Sequence, residues 1–295
     1  LARYPDIEHA HAPADWLASR LCGIKVPGDA NSMVQFGWDP LQQQWPEWLA
    51  ALGVPLHILP EVVAPGTPLG KLASVNARRF GLSPDTLIVA GTSDSTAAII
   101  ATGASQPGDA ITSLGSTLVT KVVSERPIFA PEYGVYSQPY GKLWLVGGGS
   151  NSGGAVLRHY FSEEQIKTLT PQLDPGSPSG LDYYPLLAPG ERFPVNDPQL
   201  KPKLEPRPVD ERLFLQGILE GIARIEAQAY ARLTALGAPP PLTVRSVGGG
   251  ASNLPWQQIR ERMLGVPVVA AEQGEAAYGA ALLARRAIKE EKGGN

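Results

Sequence analysis

The chain has 295 residues, 43% of them hydrophobic and 18% charged, an ordinary globular composition with enough length for two domains of common size. A net charge of −3 and a pI near 5.9 offer no basic field to nucleic acid or anionic lipid, so the expected partners are small molecules. Cys22 is the single cysteine, which excludes an intrachain disulfide and a cysteine-based zinc cluster and suits a reducing compartment, the cytoplasm being expected.

Through residue 60 the pattern is helical, with amphipathic stretches over 14–21 and 45–49. The opening residues lack a basic-then-apolar signal pattern, and no apolar run nears the ~20 residues that span a bilayer. A proline-rich link over 59–69 leads to a helix over 71–80, stopped by Gly81, and then to a strand over 86–90. Residues 110–123 read as two strands around a turn at Gly115-Ser116. A boundary near Gly108 is therefore expected, dividing the chain into 1–108 and 109–295. Residues 162–210, rich in proline and polar side chains, read as a long surface excursion. Ile218, Ile222, Ile225, Ala229, Leu233 and Leu236 recur at helical spacing, and Gly237 before three prolines ends that helix. A strand over 266–270 and a small-residue helix over 275–286 close the pattern. Strands and helices alternate from Pro241 onward, which favours α/β layers.

Asp94 stands between a short apolar strand and a helix of small residues, on the rim of a sheet. An aspartate there caps a helix by accepting from first-turn amides, or serves as a general base taking the proton of an attacking hydroxyl. The turn Leu114-Gly115-Ser116-Thr117 offers backbone amides and two hydroxyls to a phosphate, though Gly-Ser also makes an ordinary hairpin turn. The triglycine over 248–250 clears side chains from a strand-to-helix corner, so a purine can lie against backbone with Asn253 and Trp256 the nearest side chains to hydrogen-bond and stack; a tight corner without ligand is the other reading. A third glycine is missing where a dinucleotide fingerprint needs it, since Asn253 stands there, and no Gly-Lys-Ser/Thr occurs. The glycines over 147–149 read as structural, and His9, His11, His57 and His159 lack metal-ligand spacing.

Five segments in order, Gly91-Thr92-Ser93-Asp94-Ser95, Ser113 to Val119, Gly148 to Gly154, Gly190-Glu191-Arg192-Phe193-Pro194 and Gly248 to Asn253, resemble the FGGY carbohydrate kinases over nearly the whole chain. The branch most resembled is the plant and cyanobacterial kinases of D-ribulose or a related pentulose. The resemblance implies an α/β, actin-like ATPase (ribonuclease H-like) fold of two domains, with ATP in the cleft between them and Mg²⁺ bridging its phosphates. Asp94 would then deprotonate the sugar hydroxyl and touch the substrate. Gly115, Ser116 and Thr117 would bind phosphate, and Gly249, Gly250, Asn253 and Trp256 would line the adenosine pocket. Residues 1–108 would be the remainder of the sugar-binding domain and 109–295 the nucleotide-binding domain. Members begin with an Asp-x-Gly-Thr-type phosphate loop that does not precede Leu1. The chain is thus expected to lack roughly the first third of a member, leaving an incomplete N-terminal domain and an inactive fragment of a kinase. Two rival readings share the fold: a catalytically silent sugar- or nucleotide-binding regulator, and an ATPase without a sugar substrate.

Overall fold

The computed structural model describes residues 7–293, which form two compact units. The first holds the described residues through Ala101 together with 138–141 and 275–293; the second holds 102–137 and 142–274. These units divide after Ala101, seven residues ahead of Gly108, and the last helix belongs with the first of them.

In the first unit, α1 (Pro13–Cys22) starts with proline at its first position and stops at Gly23, whose left-handed φ of 74° returns its amide to the Ser19 carbonyl. Strand β1 (Gly28–Asp29) leads into α2 (Ala30–Val34) and α3 (Trp48–Ala51), and pairs in parallel with β2 (Val62–Val63). Asp29 caps α2, one carboxylate oxygen accepting from the Asn31 and Ser32 amides at 3.0 Å. Strand β3 (Pro68–Lys71) precedes α4 (Ser74–Phe80) and pairs antiparallel with β4 (Leu87–Val89). The expected helix over 71–80 is therefore shorter at its start. The Leu72 amide bonds the Thr86 carbonyl at 2.8 Å, which holds the chain extended until Ser74. Helix α5 (Asp94–Ala101) buries Thr96, Ala97, Ile99 and Ile100 and packs against the C-terminal helix Ala276–Gly293.

The second unit is built on a six-stranded sheet. Strands β5 (Asp109–Leu114) and β6 (Leu118–Ser124) form the expected hairpin, with Leu114 opposite Leu118. Strand β7 (Tyr136–Tyr140), whose last three residues are grouped with the first unit, is at one edge, and β8 (Leu143–Ser150) pairs antiparallel with β6. Then come α6 (Gly154–Tyr160), α7 (Glu163–Leu169) and α8 (Glu211–Ala235), followed by β9 (Thr243–Val247), α9 (Leu254–Leu264) and β10 (Val268–Ala270). The order is β10-β9-β5-β6-β8-β7, with β5, β9 and β10 parallel. Parallel neighbours cannot be joined by a tight turn, and α8 and α9 lie in the crossovers.

The apolar ladder expected in α8 is buried up to Leu233: Ile218 and Ile222 are fully covered and Ile225, Ala229 and Leu233 are 1% exposed, while Leu236, expected in it, follows the helix end and is half-buried. The same helix carries Glu226, fully buried, whose carboxylate takes two 2.7 Å bonds from Arg260 of α9 and one from the Thr112 hydroxyl of β5. Arg260 also donates to Ser246 of β9 at 2.7 Å. A buried charge is tolerated only when paired and hydrogen-bonded, and this network fixes α8 and α9 against the central strands.

Residues 162–210 depart from the surface excursion expected of them. Ser162 and Gln165 form a capping box that starts α7. The segment after it has little regular structure, yet Tyr183, Leu186 and Phe193 are at most 2% exposed. Its backbone is pinned by α8: Glu220 accepts from the Ser179 amide and hydroxyl, and Gln216 donates to the Asp174 and Ser177 carbonyls. Proline and polar content reported irregular backbone correctly, but not that its scattered aromatics turn inward. The glycines over 147–149 lie in β8, where a Cβ on Gly148 would come within 2.8 Å of Phe193, in keeping with their structural reading.

Candidate functional site

The second unit contains a cavity of about 540 Å³, within the range that holds a nucleotide-sized ligand. Its walls come from the β5–β6 turn, α6, α7 and the corner between β9 and α9. Gly115, Ser116, Gly249, Gly250, Asn253 and Trp256 all line it, so two segments separated by more than a hundred residues meet at one site. Thr117 is exposed and is not part of the lining.

The turn is held from below. The amides of Gly154 and Ala155, at the start of α6, donate to the carbonyls of Gly115 and Ser116 at 2.9 and 3.0 Å. The Ser116 and Thr117 amides donate to no acceptor among the described residues. Arg158, on the next turn of α6, donates to the Ser116 hydroxyl at 2.7 Å and also lines the cavity. A guanidinium beside free amides is an anion-accepting arrangement.

The opposite corner explains its glycines. Gly248 has φ of 86°, and a Cβ on Gly250 would lie 2.5 Å from the Trp256 ring. Trp256 is 2% exposed and donates its indole N–H to the Leu219 carbonyl at 3.1 Å. It forms the cavity floor instead of the free stacking face that the sequence suggests. Asn253 caps α9 by its side-chain oxygen accepting from the Trp256 amide at 3.0 Å, which leaves its amide nitrogen to donate to an acceptor.

The sequence reading does not reach Arg158, Glu163, Ile166, Lys167 or Thr170, which complete the wall. The Ser162-to-Gln165 capping box is a local signal for α7. Nothing local marks Arg158, because Ser116 is distant in sequence.

In the first unit, Asp94 is the first residue of α5 and is exposed. One of its oxygens accepts from the neighbouring Ser95 amide at 2.6 Å. The capping position falls to Ser93, whose carbonyl accepts from the Ala97 amide at 2.9 Å and whose hydroxyl accepts from the Thr96 amide at 3.4 Å. The second carboxylate oxygen of Asp94 has no partner among the described residues. Next to it, Thr92 accepts from the Asn31 side chain at 2.9 Å, tying the Asp94 segment to α2.

No group of three or more His, Cys, Asp or Glu side chains among the described residues is placed to hold a metal ion. No helix among them is long and apolar enough to cross a membrane.

The model of the FGGY family of carbohydrate kinases, C-terminal domain, matches residues 110–288. The chain belongs to that family. It is 28% identical over 290 residues to a xylulose kinase of Streptomyces coelicolor, covering 93% of this chain and 56% of that protein. It is 25% identical over 228 residues to a gluconokinase of Bacillus subtilis, covering 70% of this chain and 44% of that one. This FGGY chain thus spans about half the length of the curated relatives it matches. Among solved structures, a protein described as a xyloylose kinase from Brucella ovis superposes with a TM-score of 0.86 at 26% identity, over 96% of this chain and 60% of that one. A xylulose kinase from Lactobacillus acidophilus gives 0.82 at 21% identity, again over 96% and 60%. The fold is the α/β, actin-like ATPase fold of FGGY sugar kinases.

Proposed function

We propose that the protein takes part in ATP-dependent phosphorylation of a sugar hydroxyl, with a ketopentose of the D-ribulose type as acceptor. The observation that carries this reading is the cavity of the second unit, where the Gly115-Ser116 turn and the Gly249-to-Asn253 corner line one space of nucleotide size in a chain of the FGGY family. In this reading the free amides of Ser116 and Thr117, with Arg158, take the phosphates. Gly249, Gly250 and Asn253 hold the adenosine over the Trp256 floor. The nucleotide role goes with residues 109–295 and the sugar role with 1–108.

Asp94 is the base. It takes the proton of the sugar hydroxyl as that oxygen bonds to the γ-phosphorus, and the bond from γ-phosphorus to the β–γ bridging oxygen breaks, leaving ADP and a sugar phosphate. Its unpartnered oxygen and the relief of capping duty by Ser93 support this role. Mg²⁺ would be carried on the nucleotide's phosphate oxygens, where it would neutralise their charge. The ketopentose acceptor is supported by the xylulose kinases among the relatives, xylulose being a ketopentose.

The test is ADP release coupled to a panel of ketoses and polyols, for the protein and its Asp94→Asn variant. Asparagine keeps the shape and cannot take the proton, so turnover should fall by about 10²–10⁴-fold while nucleotide binding is unchanged. Turnover retained in Asp94→Asn removes the base assignment. Nucleotide binding with no turnover on any acceptor favours the silent regulator instead.

A further inference from the structure

The lining of the second unit's cavity contains one carboxylate, Glu163, facing a space whose other charged side chains are Arg158 and Lys167. Glu163 and Lys167 lie one turn apart on α7, a spacing that normally pairs them. Among the described residues neither makes an ion pair, with the other or elsewhere, and both are exposed. Farther along the same wall, the Thr170 hydroxyl is buried without a hydrogen-bond partner. The α7 side of the cavity therefore carries polar groups that the protein itself leaves unanswered.

A carboxylate beside a polyphosphate is repelled, so in a nucleotide cavity its place is away from the phosphates, facing hydrogen-bond donors. The phosphate end is assigned by Ser116 and Arg158, which are bonded to each other. The purine end goes, in the same nucleotide reading, with Asn253, whose side-chain oxygen accepts from the Trp256 amide and whose amide nitrogen can donate to a base. Between phosphate and base, the donors a nucleotide presents are the two ribose hydroxyls, and a vicinal diol satisfies both oxygens of one carboxylate. Ribose reading by a single acidic residue is established chemistry in other nucleotide folds.

Resting on the nucleotide reading of this cavity, we propose that Glu163 recognises the ribose hydroxyls of the bound nucleotide and makes the site selective for ribonucleotides over 2′-deoxyribonucleotides. Glu164 supplies the control. It shares the first turn of α7 and the same favourable interaction with that helix, but it does not line the cavity.

The experiment measures dissociation constants for ATP and 2′-deoxy-ATP by calorimetry in the protein and its Glu163→Gln and Glu164→Gln variants, with circular dichroism confirming that each is folded. The unmodified protein should prefer ATP by about tenfold, the scale of a hydrogen bond to a charged group. Glu163→Gln should bring that ratio close to one, and Glu164→Gln should leave it intact. A ratio unchanged in Glu163→Gln, or lost equally in Glu164→Gln, overturns the assignment. Absence of binding by either nucleotide to the unmodified protein overturns the nucleotide reading beneath it.

Discussion

The two units hold buried carboxylates in different ways, although single buried atoms of Thr120, Thr170 and Arg262 in the second also lack partners among the described residues. In the second, Glu226 and Arg260 are both essentially inaccessible, and each oxygen and nitrogen of the pair is answered by the other, Thr112 or Ser246. Glu191 is equally buried and accepts from the Ser150 hydroxyl at 2.6 Å and the Asn151 amide at 2.7 Å. In the first unit, buried atoms of His11, Asp15, Asp29 and Asn31 lack partners among the described residues. Strands there are two to four residues long, and Trp16, Ile24, Leu52 and Val75 are more than half exposed. A sheet with helical crossovers supplies enough core to bury ions in closed networks; short strand pairs do not.

The largest effect should follow from opening the closed network. Arg260→Met leaves Glu226 buried without its counter-ion, with only the Thr112 hydroxyl donating to it, which should cost about 3–5 kcal/mol of unfolding free energy and loosen the β9–α9 corner. Chemical denaturation measures the first and nucleotide affinity the second. A loss below 1 kcal/mol would mean that the network is not what holds the corner.

The next effect uses pH to tell the units apart. Burial first, then the nearby charge of Asp29, pushes the Asp15 carboxyl up to about 6, from 3.8. The folded state therefore binds more protons than the unfolded one between those values, and stability falls as pH rises across that window. In the second unit, burial draws the Lys121 ammonium down to about 7, from 10.5, beneath the Tyr136 ring 3.6 Å away. There the unfolded chain binds more protons, and stability rises from about pH 7 upward. Asp15→Asn should flatten the acidic slope and Lys121→Met the alkaline one, each followed by denaturation across pH. Identical pH profiles for the protein and both variants would erase this contrast.

The smallest effect concerns the cavity wall. Ser162→Ala removes half of the α7 capping box and should cost about 1 kcal/mol, with a modest weakening of nucleotide binding. Unchanged melting and affinity would show that α7 is held by packing alone.

These contrasts also explain what was legible in the sequence. The α8 ladder was readable because one helix face repeats at fixed spacing, and the β5–β6 hairpin because apolar runs flank Gly115-Ser116. The cavity was half legible: glycine corners announce themselves locally, whereas Arg158 reaches Ser116 only once α6 docks under the turn. Trp256 looked like a stacking platform because its sequence neighbours are a ligand-like corner. Its indole N–H instead finds the Leu219 carbonyl, a contact that local sequence does not encode. Asp94 read from sequence as a helix cap or a base, and in the structure the capping bonds come from Ser93 instead.

A crystal structure with bound ADP tests the account most directly. Density for the diphosphate against Ser116 and Arg158, with the adenosine between the α7 wall and the 249–253 corner, is the predicted result. ADP bound elsewhere on the protein, with this cavity filled only by solvent, would contradict it.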